Sequence, residues 1–149
     1  MGDPAGIGPE VVVKALADTG LRRSARFVVY GQNDLLTYAA DRAGIHPYWF
    51  RVAATSERAA LPLSGDVTVL DYPGEDLARR GPAGPSKSGG LASRQFVEDA
   101  IADALREHGD PRRIDGIVTG PISKESWSLA NFRWPGHTEL LAARTKAKR

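Results

Sequence analysis

The stretch that most constrains this chain is its first ten residues, Met1-Gly2-Asp3-Pro4-Ala5-Gly6-Ile7-Gly8-Pro9-Glu10, which give way at once to Val11-Val12-Val13-Lys14-Ala15-Leu16. Glycines and prolines followed directly by an apolar run read as a loop feeding a helix. Gly8 is placed to cap that helix, and Pro9 suits its first turn, where a missing N–H costs nothing. Glu10 complements the positive end of the helix dipole. Glycines let backbone N–H groups come close to a ligand, and a helix start behind such a loop favours anions. Asp3, Gly6 and Gly8 are therefore candidate anion contacts; the plainer alternative is a tight turn that starts a helix. Two better-known glycine motifs do not fit. Val11 stands where the dinucleotide fingerprint needs its third glycine, no apolar strand precedes the loop, and there is no Gly-Lys-Ser/Thr of a P-loop.

Beyond this loop the pattern alternates between helix and strand, which is the signature of an α/β protein. Residues 9–19 read as an amphipathic helix closed by Gly20. Arg26-Phe27-Val28-Val29-Tyr30 reads as a buried strand ending at Gly31. Gln32 or Asn33 starts a helix through Ala43 with Leu35, Leu36 and Ala39 inward, stopped by Gly44. Residues 45–52 read as a loop and a strand, residues 54–66 as a polar connector, and Asp66 to Asp71 as another strand. The Gly-, Pro- and Ser-rich residues 73–90 read as a surface loop, in which Lys87 and its neighbouring serines are available to an anion. From Leu91 to His108, the spacing of Phe96, Val97, Ala100, Ile101, Ala104 and Leu105 makes one apolar helical face, ended by Gly109. Residues 114–119 read as a strand running into Gly120-Pro121, with Ser123 capping the next helix.

The carboxyl end of a strand is where open α/β sheets hold ligands, so Thr119 and Lys124 are candidates to face a cleft. Lys124 would act there as a point charge on a phosphate or carboxylate; otherwise it is a solvated lysine at a helix start. His137 and Thr138 open a last helix, Leu140 to Lys146, with Thr138 as its cap. A lone histidine at such a place is more often a structural hydrogen-bonder than a ligand. His46 before Pro47 reads as a surface residue. His108, in the last turn of its helix, is explained by the helix dipole.

Three stretches, in this order, resemble the 4-hydroxythreonine-4-phosphate dehydrogenase (PdxA) family of vitamin B6 synthesis: Met1 to Glu10, Val118-Thr119-Gly120-Pro121-Ile122-Ser123-Lys124, and Gly136-His137-Thr138-Glu139. The resemblance implies an isocitrate/isopropylmalate dehydrogenase-like α/β fold of two domains, working as a homodimer. It implies NAD-dependent oxidation of 4-phosphohydroxy-L-threonine to a 3-oxo acid that then loses carbon dioxide, on the way to pyridoxal 5′-phosphate. It also implies a divalent metal (Zn, Mg or Co) as Lewis acid, and substrate contacts from His137 and Thr138. In the family, three histidines beyond the Gly-His-Thr-Glu helix hold the metal. His46, His108 and His137 do not match them by motif, and Arg149 is the last residue here. Most cofactor contacts of the family fall in the same later part, and an apolar strand normally precedes its Met-Gly-Asp-Pro word. Residues 1–149 are therefore expected to be a single α/β region, the N-terminal part of a longer dehydrogenase, without turnover on its own. Two alternatives stay open. One is a dehydrogenase of a related substrate, such as D-threonate or D-erythronate 4-phosphate or a cyclic dihydrodiol. The other is a phosphate-binding or subunit-interaction module without chemistry.

Composition narrows the field. With 20 basic and 18 acidic residues the net charge is +2, which leaves no nucleic-acid footprint. Arg79-Arg80, Arg112-Arg113 and the Lys146–Arg149 cluster read as solvated surface. The absence of cysteine excludes disulfides, thiolate metal sites and a cysteine nucleophile. No apolar run is long enough to span a membrane, and no signal peptide is evident, so a cytoplasmic protein is expected.

Overall fold

The computed structural model describes residues 1–55, 65–74 and 84–146. Most of the predicted connector, part of the predicted Gly/Pro loop with Arg79-Arg80, and the last three residues lie outside the described residues. In chain order the elements are α1 (Gly8–Leu16), α2 (Thr19–Ser24), β1 (Phe27–Gly31), α3 (Asn33–Ala43), β2 (Phe50–Ala53), β3 (Val67–Asp71), α4 (Lys87–Ala104), α5 (Lys124–Leu129) and α6 (His137–Thr145).

The three strands form one parallel sheet in the order β1-β3-β2, with Val29 opposite Val69 and Val52 opposite Leu70. Side chains alternate across a strand, and here they divide the core in two. Val29, Val67 and Val69 face Val13 and Leu16 of α1 and Leu36, Ala39 and Ala40 of α3. Tyr30 and Leu70 face Phe96 and Ala100 of α4. Parallel strands need helical crossovers that cover both faces, and α1/α3 and α4 do so. The far side of α4 builds a third cluster, Val97 and Ile101 against Trp127 of α5 and Leu140 of α6. This last packing carries the site, because it fixes the starts of α5 and α6.

Several element boundaries differ from the sequence expectation. The N-cap of α1 is Ile7, so Gly8 and Pro9 are its first two residues. That helix ends at Leu16, and Gly20 does not close it. Asp18 instead starts α2 by accepting from Gly20 N (2.7 Å) and Leu21 N (3.2 Å), a cap that competes with continuation of α1. The long helix α4 begins at Lys87, inside the expected loop, and ends at Ala104, leaving Leu105 59% exposed and His108 beyond its last turn. Ser86 Oγ accepts from Gly89 N (3.0 Å) to cap it. Gly90 sits inside the helix because α5 crosses there: a Cβ would lie 2.1 Å from Ser126 O. Residues 114–119 carry no regular secondary structure and are not a strand, and Val118 is 95% exposed. A strand needs a ladder partner; β1 is an edge of the sheet, and among the described residues no strand lies between it and this segment. Thr138 does not cap α6. Gly136 is the N-cap, and Thr138 is the second residue of the helix.

Candidate functional site at the start of α6

Two short helices bring the candidate side chains together. At α5, Ser123 Oγ accepts from Ser126 N (3.0 Å), the cap its sequence calls for. This makes Lys124 the first residue of α5, exposed to solvent. At α6, Gly136 precedes His137, Thr138 and Glu139, and no side chain caps the helix. The first N–H groups of a helix have no partner within it, so this end offers donors together with a positive partial charge. Lys124 runs beside it: its Cε lies 3.9 Å from where a Cβ on Gly136 would stand.

His137 is held by its surroundings. Its ring meets the Trp127 ring edge to face at 5.3 Å. Trp127 is 1% exposed, and its Nε1 donates to Ser93 Oγ (2.9 Å), which itself donates to Gly89 O (2.8 Å). Half-burial against this wall pushes the imidazole pKa below its ordinary value. At neutral pH the ring is therefore uncharged, a donor at one nitrogen and an acceptor at the other. Trp127 was not singled out in the sequence; only its place one turn into the helix after Ser123 marks it.

The glycine-rich first loop is placed differently. Asp3 is 2% exposed. Its Oδ1 accepts from Ala5 N (2.8 Å), and its Oδ2 accepts from Ser126 Oγ (2.7 Å). Ser126 Oγ in turn accepts from Ser86 N (3.1 Å), and Asp3 N donates to Pro121 O (2.9 Å). The carboxylate thus joins the first loop, the start of α4 and the first turn of α5. Gly8 is buried, with Met1 O 2.2 Å from its would-be Cβ, whereas Gly6 is exposed on the turn. Thr119 is exposed in the irregular segment before Pro121. The structure therefore gathers Lys124, His137 and Thr138 at one helix start, and it places Asp3 and Gly8 in contact with the chain itself.

Among the described residues, no group of three or more His, Asp or Glu side chains is arranged to hold a metal ion. His46 and His108 are both exposed and lie in separate connecting segments. The described residues therefore do not fit a metal centre. Also among the described residues, no helix is long and apolar enough to cross a membrane.

Fold and site together define a parallel α/β protein in which Lys124, His137 and Thr138 stand at the uncapped start of α6. Comparison with known proteins makes this specific. The family model described as pyridoxal phosphate biosynthetic protein PdxA matches residues 23–149. The D-threonate 4-phosphate dehydrogenase of Bordetella bronchiseptica is 40% identical over 143 residues, covering 95% of this chain and 39% of that protein. The 4-hydroxythreonine-4-phosphate dehydrogenase of a Synechococcus species is 34% identical over 158 residues, covering 100% of this chain and 39% of that protein. A crystal structure of 4-hydroxythreonine-4-phosphate dehydrogenase from Klebsiella pneumoniae matches with a TM-score of 0.76 at 32% identity, covering 99% of this chain and 43% of that one. The chain belongs to the PdxA family. It spans about 40% of the length of these relatives.

Proposed function

We propose that this chain is the N-terminal, phosphate-gripping part of a dehydrogenase that oxidises a four-carbon phosphorylated hydroxy acid. The observation that carries the reading is the convergence of Lys124, His137 and Thr138 on the uncapped start of α6. An ammonium, a neutral imidazole, a hydroxyl and helix N–H groups suit a phosphate dianion. In this role Lys124 supplies charge, His137 and Thr138 donate hydrogen bonds, and Trp127 fixes the imidazole plane. Asp3 takes no part in gripping the anion; it serves the fold, joining the first loop to α5 through Ser126.

In the full reading the protein is a homodimer of the isocitrate/isopropylmalate dehydrogenase type, and residues 1–149 are one α/β region of it. The substrate is 4-phosphohydroxy-L-threonine, oxidised to the 3-oxo acid that then decarboxylates, as part of pyridoxal 5′-phosphate synthesis. NAD would supply the hydride acceptor and a divalent metal the Lewis acid; among the described residues no group of three or more His, Asp or Glu side chains is arranged to hold that metal. A second reading is favoured by one observation: identity is higher to the D-threonate 4-phosphate enzyme, 40% against 34%. Both substrates present a terminal phosphate, so the α6 start serves either.

The test has two arms. Titrating the chain with inorganic phosphate, D-threonate 4-phosphate and 4-phosphohydroxy-L-threonine should perturb the amides of His137 and Thr138, and Lys124→Ala should weaken the effect. Absence of any perturbation there would overturn the reading. Mixing the chain with either substrate, NAD and divalent metal should give no NADH; clear turnover would show that the chemistry resides in these residues after all.

A further inference from the structure

A serine inside a helix is a locally poor choice, because its hydroxyl competes with the helix for backbone partners. Ser93 lies inside α4 and is 1% exposed, so its hydroxyl needs a reason. The Oγ donates to Gly89 O (2.8 Å), with Gly90 O at 3.2 Å. That commits its one proton and leaves its lone pairs free to accept. Trp127 Nε1 donates to them at 2.9 Å. An indole N–H is a donor and nothing else, and a buried one needs an acceptor. Trp127 is itself 1% exposed. A ring wholly inside the α4/α5/α6 cluster thus has its polar end tied to α4.

The tie matters because of what the ring touches. Trp127 meets Phe132 edge to face at 4.8 Å and His137 at 5.3 Å. Arg94, the next residue of α4, lies over the Phe132 ring at 4.4 Å and closes the stack from the same helix. The preceding residue of α5, Ser126, has anchors of its own in Asp3 Oδ2 and Ser86 N. Those hold the backbone of α5, but they leave the Trp127 side chain free to turn about its own bonds. A different indole rotamer would carry Nε1 away from Ser93 and present another edge to His137. The acceptor on α4 singles out the observed one.

We propose that Ser93 is a positioning residue for the anion grip at the start of α6: acting through Trp127, it sets the plane of the His137 imidazole beside Lys124 and Thr138. The inference rests on the phosphate reading of that helix start, and the test keeps the two apart. The ring protons of His137 lie in the ring current of the indole, so their resonances report the Trp127–His137 geometry without any ligand. They are recorded for the parent chain, Ser93→Ala, Ser93→Cys and Asp3→Ala, and each chain is then titrated with inorganic phosphate. Alanine is the best helix former, so α4 itself tolerates Ser93→Ala. In that variant the His137 ring signals should move toward ordinary histidine positions, and phosphate binding per folded molecule should weaken about fivefold, the worth of one well-placed hydrogen bond. Ser93→Cys keeps a weaker acceptor and should fall between the two; it carries the same reading should Ser93→Ala unfold. Asp3→Ala loosens the same α4–α5 contact through Ser126, yet it should leave both readouts near those of the parent. The proposal is overturned if Ser93→Ala keeps the ring signals of the parent, if those signals move while phosphate affinity stays, or if Asp3→Ala moves both as far. If the parent binds no phosphate, the phosphate reading of the α6 start falls by itself, and the ligand-free ring signals still decide whether Ser93 sets His137.

Discussion

The two glycine-bearing helix starts at α1 and α6 look alike in sequence and are built in opposite ways. At α1 the glycines let the chain approach itself. A Cβ on Gly2 (φ +85°) would lie 2.2 Å from Pro121 O, and one on Gly8 would lie 2.2 Å from Met1 O. Gly120, on the facing segment, would meet Met1 O at 2.4 Å. At α6 the nearest atoms to a Cβ on Gly136 are the ends of flexible side chains, Glu139 Oε2 at 3.5 Å and Lys124 Cε at 3.9 Å. Gly136 is also extended (φ −174°), a backbone any residue adopts. One start is closed by main chain; the other is open, with a lysine beside it. A glycine in front of a helix acquires its meaning from what stands opposite it.

The largest expected effect tests this contrast directly. Gly8→Ala forces a methyl group into a carbonyl oxygen that belongs to the main chain, so the first loop must shift. Overpacking of this kind costs about 3 kcal/mol, seen as a lower midpoint in urea unfolding. Gly136→Ala meets only ordinary contacts and should cost less than about 1 kcal/mol, the loss of a favoured N-cap residue. Equal costs at the two positions would break the comparison.

Asp3 and Lys124 sharpen it. Asp3→Ala leaves the Ser126 hydroxyl and the Ala5 N–H buried without their acceptor, at a cost of about 2 kcal/mol. Phosphate affinity per folded molecule should be little changed. Lys124→Ala should do the reverse: stability within about 0.5 kcal/mol of the parent, as at most surface positions, but phosphate binding about fivefold weaker for the loss of one charge near a helix start. Calorimetric titration of both variants with inorganic phosphate, beside their unfolding curves, separates the two roles. A loss of affinity in Asp3→Ala as large as that in Lys124→Ala, with the fold intact, would make Asp3 a ligand contact.

The parts of the fold that were legible in the sequence depend on neighbours in the chain. The inward face of α3 and its stop at Gly44 (φ +65°), the stripe Phe96-Val97-Ala100-Ile101, the strand before Tyr72 and the Ser123 cap all follow from local spacing. What was not legible depends on distant ones. Gly89 and Gly90 read as loop residues, but they lie in α4 behind the Ser86 cap, and Asp3 and Ser126 approach them where a Cβ would stand. Residues 114–119 have strand composition, but their structure turns on a partner that no local pattern reveals. Asp3 and Ser126 are 123 positions apart, and no spacing rule relates them. The same division runs through the candidate site. The words around Lys124 and His137 single out those residues, whereas the Trp127 ring that sets the His137 environment is visible only once α4, α5 and α6 are packed.

That environment gives the smallest effect and the finest distinction between the two helix starts. Burial against Trp127 holds the His137 imidazole below its ordinary value, so the folded chain favours the neutral ring. The unfolded chain binds the proton first, near the ordinary histidine value of about 6.5. The contribution of His137 to stability is therefore fully present above that pH. It is lost as pH falls through that value and on through the lowered folded one, where the buried ring must charge. A phosphate seated at the start of α6 would favour the charged ring and raise its pKa. Following the His137 ring protons against pH, the free chain should titrate below the ordinary histidine range, and saturating inorganic phosphate should move the midpoint upward. In Asp3→Ala the same upward movement should persist, because the first loop does not meet the anion. A midpoint that phosphate leaves unmoved would place the anion elsewhere, and the open start of α6 would then be no more a ligand site than the closed start of α1.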